Sequence, residues 1–96
     1  MTEYALTKTA EHDFANIADY TIEKFGISQA RRYRTSMCRT FESLAEHPRM
    51  GRDYSHVKEG CRRHEHGRHV IYYKITDSGI VMLRLLHERQ DPISYL

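Results

Sequence analysis

The chain has 96 residues, with 15 Lys and Arg against 13 Asp and Glu, seven His, two Cys and no Trp. That length suits one domain, residues 1–96, and excludes large cofactor-binding folds such as a dinucleotide-binding domain or a (β/α) barrel. A composition of 40% hydrophobic and 29% charged residues is globular rather than disordered, and the net charge of +2 is too small to name a partner by itself.

No apolar run approaches the ~18–20 residues that span a bilayer. The start, Met1-Thr2-Glu3-Tyr4, lacks the basic and apolar regions of a secretory signal. Cys38 and Cys61 belong to no C-x-x-C pair and read as free thiols in a reducing cytoplasm, a single disulfide between them being the alternative.

Tyr4-Ala5-Leu6-Thr7 is short and alternating, an opening strand. Ala10, Phe14, Ile17, Ala18, Ile22 and Phe25 then recur at spacings of three and four, which places them on one face of a helix. Thr7 or Thr9 supplies the N-cap oxygen, and Gly26 ends the helix because it tolerates the left-handed conformation. A second helical pattern runs through Ala30, Tyr33, Met37, Phe41, Leu44 and Ala45, with Ser28 as the expected N-cap. It stops at His47, before Pro48. The short connection makes the pair an antiparallel αα-hairpin. Residues 49–60 are polar and non-periodic, hence loop.

The second half changes period. Residues 61–66 alternate weakly, and residues 69–75 are rich in β-branched and aromatic side chains. Ile80-Val81-Met82-Leu83-Arg84-Leu85-Leu86 is nearly unbroken apolar sequence, as in a strand buried on both faces. Gly67 and Asp77-Ser78-Gly79 mark tight turns. The predicted order is β-α-α-β-β-β, an α+β fold with the αα-hairpin on one face of an antiparallel sheet.

Four groups of residues invite a chemical reading. His64, His66 and His69 could suggest zinc, but a turn intervenes and no Cys or carboxylate has ligand spacing, so a polar hairpin tip is the plainer reading. Arg31, Arg32, Arg34 and Arg39 form an all-Arg set on the second helix. They are either a solvated face or a surface for carboxylates or phosphates, which Arg grips in bidentate fashion. Arg84 interrupts the most apolar strand, where an unpaired charge would cost several kcal/mol. It therefore has an acidic partner or lines a polar groove. His87-Glu88-Arg89-Gln90-Asp91 follows that strand, and Arg68 opens the strand before it. Together they are either a charged rim or a functional cluster. An Arg and His set is also what metal-free RNA cleavage needs, to move a proton and stabilise a phosphorane.

At these residues the sequence resembles the ParE branch of the RelE/ParE toxins of bacterial toxin–antitoxin pairs, over almost the whole chain. The likeness rests on Leu6-Thr7 before an acidic helix start, on Phe25-Gly26-Ile27-Ser28-Gln29-Ala30 ahead of Tyr33, and on Leu44-Ala45-Glu46-His47-Pro48 with Gly51 following. It continues through Gly60-Cys61-Arg62-Arg63 and Gly67-Arg68-His69-Val70-Ile71-Tyr72-Tyr73. The ending, Leu83 to Asp91, is similar to the closing pattern I-L-H-x-R-M-D. Phe25 stands where many relatives have Trp, and Gln90 where Met is usual.

The resemblance implies the β-α-α-β-β-β fold and a cytoplasmic toxin that inhibits DNA gyrase by stabilising its cleaved-DNA complex, without cofactor or metal. It also implies neutralisation by a ParD-like antitoxin, with a higher-order toxin–antitoxin hetero-oligomer as a further expectation. RelE-like relatives instead cut mRNA on the ribosome, and that alternative would use Arg68, His87, Arg89 and Tyr95. The second helix lacks the Lys residues of that branch, and the H-x-R-x-D ending is ParE-like, so gyrase is the favoured target. Expected gyrase contacts are Arg68, His87, Arg89, Asp91 and Tyr95. Expected antitoxin contacts are Tyr33, Arg34, Met37, Tyr72 and Arg84. Residues 1–48 carry six basic and seven acidic side chains, and residues 49–96 nine and six. The positive charge thus follows the sheet and tail, too weakly for unaided high-affinity nucleic-acid binding.

Overall fold

The computed structural model describes residues 3–96. Its elements are β1 (Glu3–Leu6), α1 (Lys8–Phe25), α2 (Ile27–Glu46), β2 (Arg52–Asp53), β3 (Cys61–His66), β4 (His69–Ile75), β5 (Gly79–His87) and α3 (Pro92–Tyr95). The predicted α+β order is present, with two short additions. Two residues of the expected 49–60 loop pair with Arg62 and Arg63 as β2, and the tail winds into α3.

The strand order is β1-β5-β4-β3-β2. Pairing from β2 to β5 is antiparallel, as expected, but β1 joins β5 in parallel, so the sheet is mixed. The physical reason lies in Thr7. Its N–H donates to the Met82 carbonyl, its hydroxyl donates to the Leu83 carbonyl, and the same oxygen caps α1 by accepting from the Ala10 N–H. One residue thus ends the strand and starts the helix, which sends the chain over the sheet.

Between α1 and α2 there is no loop. Gly26, at φ +89°, donates to the Ile22 carbonyl and accepts from the Ala30 N–H, closing one helix and opening the next. The left-handed backbone is what glycine permits. Helix α2 therefore begins at Ile27 and carries no side-chain cap, so Ser28 is not its N-cap.

The main core lies between the helices and the sheet. Met37, Phe41 and Leu44 of α2 meet Ile71 and Tyr73 of β4 and Met82 of β5, all fully buried. Each such side chain contributes about 1.5–3 kcal/mol through burial. The other face of the sheet has a smaller cluster of Cys61, Val70, Tyr72 and Leu86, covered by Tyr54 from the loop after β2 and by Leu96 from the tail. Burial of β5 on both faces follows from these two layers. Cys38 and Cys61 are both free thiols. The last turns of α1 depart from expectation, because Ile22 and Phe25 are exposed although they share the helix's apolar spacing.

Tyr73 shows how the core meets the polar connection after α2. Its hydroxyl donates to the Pro48 carbonyl and accepts from the Gly51 N–H at 2.9 Å. A Cβ at Gly51 would run into that hydroxyl and into the Arg63 carbonyl.

A β-bulge in β5 organises the remaining contact. Tyr72 pairs with Arg84 and Tyr73 with Met82, leaving Leu83 as the extra residue. The bulge lies just past the end of β1, and there Asp13 of α1 takes over the strand edge. Its carboxylate accepts from Arg84 Nε at 2.8 Å, from Arg84 Nη2 at 2.9 Å and from the Leu85 N–H at 3.0 Å. Of the two alternatives for Arg84, the acidic partner is present.

Both side chains of this pair are largely buried, so removing the carboxylate leaves a desolvated guanidinium and an orphaned N–H. Asp13→Ala should lower unfolding stability by about 2–4 kcal/mol in urea denaturation. Asp13→Asn, which keeps an acceptor for Leu85, should lose less. A change under about 1 kcal/mol for Asp13→Ala would show that the sheet edge does not need this contact.

Candidate functional site

The ends of β4 and β5 meet the C-terminal half of α1 and the start of α2 around a groove of about 590 Å³. Arg68, His87 and Arg89 line it, together with Tyr20, Phe25, Tyr33 and His69. A second hollow of about 360 Å³ continues along α1 past Asp13 and Gln90, sharing Tyr20, His69 and His87. Tyr20 and Phe25 are more than half exposed. The groove is thus an apolar, aromatic wall facing a basic rim.

Hydrogen bonds fix the floor of this groove. Tyr33 donates its one hydroxyl proton to the His66 carbonyl at 3.0 Å. That leaves the 2.7 Å contact to His69 Nδ1 for a proton on the imidazole, which assigns the Nδ1–H tautomer to His69. Thr40 donates to the Ser36 carbonyl, so His66 Nδ1–H donates to Thr40 and Nε2 accepts from the Ser36 hydroxyl. Three residues of α2 therefore hold the β3–β4 hairpin by neutral imidazoles. At the end of β5, His87 Nδ1 accepts from the Arg89 N–H, and its ring stands edge-on to His69 with centroids 5.5 Å apart.

Burial pushes the His64 and His66 imidazoles below their ordinary range. His69 goes further, from 6.5 to about 4, first through burial and then through the neighbouring His87 and His66 rings. Burial also raises the Tyr33 phenol. At neutral pH the floor is uncharged, and the positive charge stays at the rim. No group of three His, Cys, Asp or Glu side chains among the described residues could hold a metal ion.

Only part of the expected site comes together. Arg68, ion-paired with Glu88 at 3.3 Å, shares the groove with His87 and Arg89. Asp91 instead caps α3, accepting from the Ile93 N–H and the Ser94 hydroxyl. Tyr95 lies under the Arg84 guanidinium, 5.6 Å from its ring centroid, and its carbonyl accepts from Arg84. The second set is scattered. Tyr33 faces the groove, and Arg34 lies exposed over Phe14. Met37 is fully buried in the main core, and Tyr72 is almost fully buried on the far face of the sheet. Arg84 is occupied by Asp13. Tyr20 carries no site signal in the sequence, His69 stands out there only as a possible zinc ligand, and Phe25 looks like core. The available signal for Phe25 was its position directly before Gly26, at a helix end.

Comparison with known proteins places this architecture. A family model described as "ParE toxin of type II toxin-antitoxin system, parDE" matches residues 4–92. Toxin ParE1 of Caulobacter vibrioides is 31% identical over 96 residues, covering 100% of this chain and 99% of its own length. Toxin ParE1 of Mycobacterium tuberculosis is 30% identical over 91 residues, covering 94% and 93%. A solved structure, "Chromosomal ParDE TA system from P. aeruginosa", superposes with a TM-score of 0.75 at 18% identity over 91% of this chain and 96% of that one, a likeness of fold. The chain belongs to the ParE toxin family of type II toxin–antitoxin systems. Membership in a two-component system implies an antitoxin partner. No helix among the described residues is long and apolar enough to cross a membrane.

The low His69 value carries a consequence for stability. In the unfolded chain this imidazole takes up its proton near 6.5, and in the folded chain near 4. Acid therefore favours the unfolded chain progressively as pH falls from 6.5 to 4. The loss attributable to His69 should be about 1–2 kcal/mol after solvent screening, and His69→Gln should flatten that part of the stability profile. In NMR the His69 ring should titrate near 4; a midpoint above 6 contradicts this environment.

Proposed function

We propose that this toxin inhibits DNA gyrase by binding and stabilising the complex in which gyrase holds cleaved DNA, and that a ParD-like antitoxin neutralises it. Such poisoning needs only a higher affinity for the cleaved state than for the resealed one. It needs no covalent chemistry by the toxin.

The observation that carries this reading is the division of the Arg, His and Tyr set. RNA cleavage would need a proton acceptor, a proton donor and a cation converging on one phosphate. Here Arg68, His87 and Arg89 line the groove, whereas Tyr95 is held by Arg84. A basic rim beside exposed Tyr20 and Phe25 suits the grip of a protein surface, where aromatic and Arg anchors dominate. We assign the gyrase contact to Arg68, His87 and Arg89. Asp91 and Tyr95 support it by fixing the tail. The antitoxin contact falls to the exposed parts of its candidate set, Tyr33 and Arg34, with Met37, Tyr72 and Arg84 shaping the surface from beneath.

With purified gyrase and supercoiled plasmid, the toxin should cause linear DNA to accumulate, and ribosome programmes should show no new mRNA cuts. Ribosome-dependent cleavage without any effect on gyrase would overturn the proposal in favour of a RelE-like nuclease. Arg68→Ala with Arg89→Ala removes two exposed side chains and should raise the toxin concentration needed for linear DNA at least tenfold. Antitoxin affinity should stay within threefold. Unchanged potency of the double variant would move the gyrase contact elsewhere.

A further inference from the structure

We propose that the outer face of α2 is a phosphate-backbone contact for duplex DNA, used by the toxin beside its groove. This rests on the gyrase reading only for its biological setting, since it places a second, weaker contact on the DNA that gyrase holds.

From Ile27 to Phe41 the helix contains four Arg and no acidic residue, and Arg31, Arg32, Arg34 and Arg39 are all exposed. Among the described residues none of these guanidinium groups makes an ion pair. Arg32 donates only to Gln29, and Arg34 lies over Phe14. An ordinary solvated helix face mixes both signs and is aided by i, i+4 pairs. Here no Arg of the set has an acidic residue four positions away, and the first acid on the helix is Glu42, three residues beyond Arg39.

Its charges also run against the helix itself. Acidic groups stabilise the start of a helix and basic groups its end. Helix α2 has no acidic residue in its first turn and no basic residue in its last, while Glu42 and Glu46 follow the Arg set toward the C-terminus. Helix stability does not account for that order; an anionic partner does.

The chemistry of the face selects phosphate over an acidic protein. Ser28, Arg31, Arg32, Thr35 and Arg39 are exposed, and an exposed apolar side chain, Ile27, lies one turn before Arg31 at the edge of this face. Protein interfaces carry an apolar, charge-depleted centre, whereas Arg, Ser and Thr are the usual donors to DNA phosphates. A single strand would call for aromatic stacking platforms, and this face has none. Arg31 and Arg39 lie about 12 Å apart along the helix axis, comparable with the ~12 Å width of the major groove. That span is long enough for the two ends of the face to meet different phosphates of one duplex. So few contacts give weak, salt-sensitive binding, in keeping with the modest net charge.

The test is fluorescence anisotropy of a labelled 20-base-pair duplex titrated with the full chain at several KCl concentrations, without gyrase. The expected result is micromolar-range binding at low salt. Arg31→Gln/Arg32→Gln/Arg39→Gln should weaken it at least tenfold and reduce the slope of log affinity against log salt by about 2–3. A control of equal charge change, Lys8→Gln/Lys24→Gln/Lys58→Gln, should stay within twofold. Circular dichroism of both triple variants checks that the helices are retained. The proposal fails if the parent does not bind duplex, if the Arg variant binds within twofold of it, or if the Lys control loses as much. It also fails if poly-glutamate competes as strongly as duplex per unit charge, which would identify an acidic protein surface. Because gyrase is absent, failure here leaves the plasmid assay to judge gyrase inhibition separately.

Discussion

The Asp13 carboxylate is where the helical layer is joined to the sheet. Parallel pairing of β1 stops at Leu6 and Met82, yet β5 continues to His87 with an edge that needs hydrogen-bond partners. Thr7 satisfies the first carbonyls of that edge, and Asp13, two turns further along α1, accepts from the Leu85 N–H. The bulge at Leu83 turns Arg84 toward the same carboxylate. A charge in the most apolar strand is thereby compensated, and the carboxylate holds the guanidinium above its ordinary pKa range. Arg84 in turn anchors Tyr95 through its carbonyl and ring, and Leu96 then covers the outer cluster of the sheet. One ion pair thus links α1, β5 and the tail.

That linkage also sets the shape of the groove. Asp13 fixes α1 against β5 at one end, so Tyr20 and Phe25 near the other end overhang the ends of β4 and β5. Helix α2 supplies the opposite restraint through Tyr33, Ser36 and Thr40. The resulting hollow has a floor of hydrogen-bonded imidazoles and an exposed cationic rim of Arg68 and Arg89. The Arg face of α2 is a separate feature.

Several elements were legible in the residues alone. The 3.6-residue spacing of Ala10, Phe14 and Ile17 and of Met37, Phe41 and Leu44 defined two helices, and Gly26 and Pro48 marked their ends. The apolar run of residues 80–86, broken only by Arg84, defined a strand covered on both faces. Arg68, His87 and Arg89 could be grouped because antiparallel neighbours begin where their partners end. Less was legible for Ile22 and Phe25, since helical periodicity says which face a residue occupies but not whether another layer lies beneath it. For the same reason Met37 and Tyr72 looked like surface candidates and proved to be core.

By itself, the sequence determined the number and kind of elements, their order, and membership of the ParE toxin family, because periodicity, turn residues and ordered motifs are properties of neighbours along the chain. Tertiary structure alone decided that β1 lies parallel to β5, that Asp13 is the partner of Arg84, and that Asp91 and Tyr95 belong to the tail rather than to the groove. Those outcomes join residues as much as 76 positions apart, as Thr7 and Leu83 are at the junction of β1 and β5. Local propensity carries no information about such pairs. They are fixed by which buried polar groups must find each other once the helices have closed over the sheet.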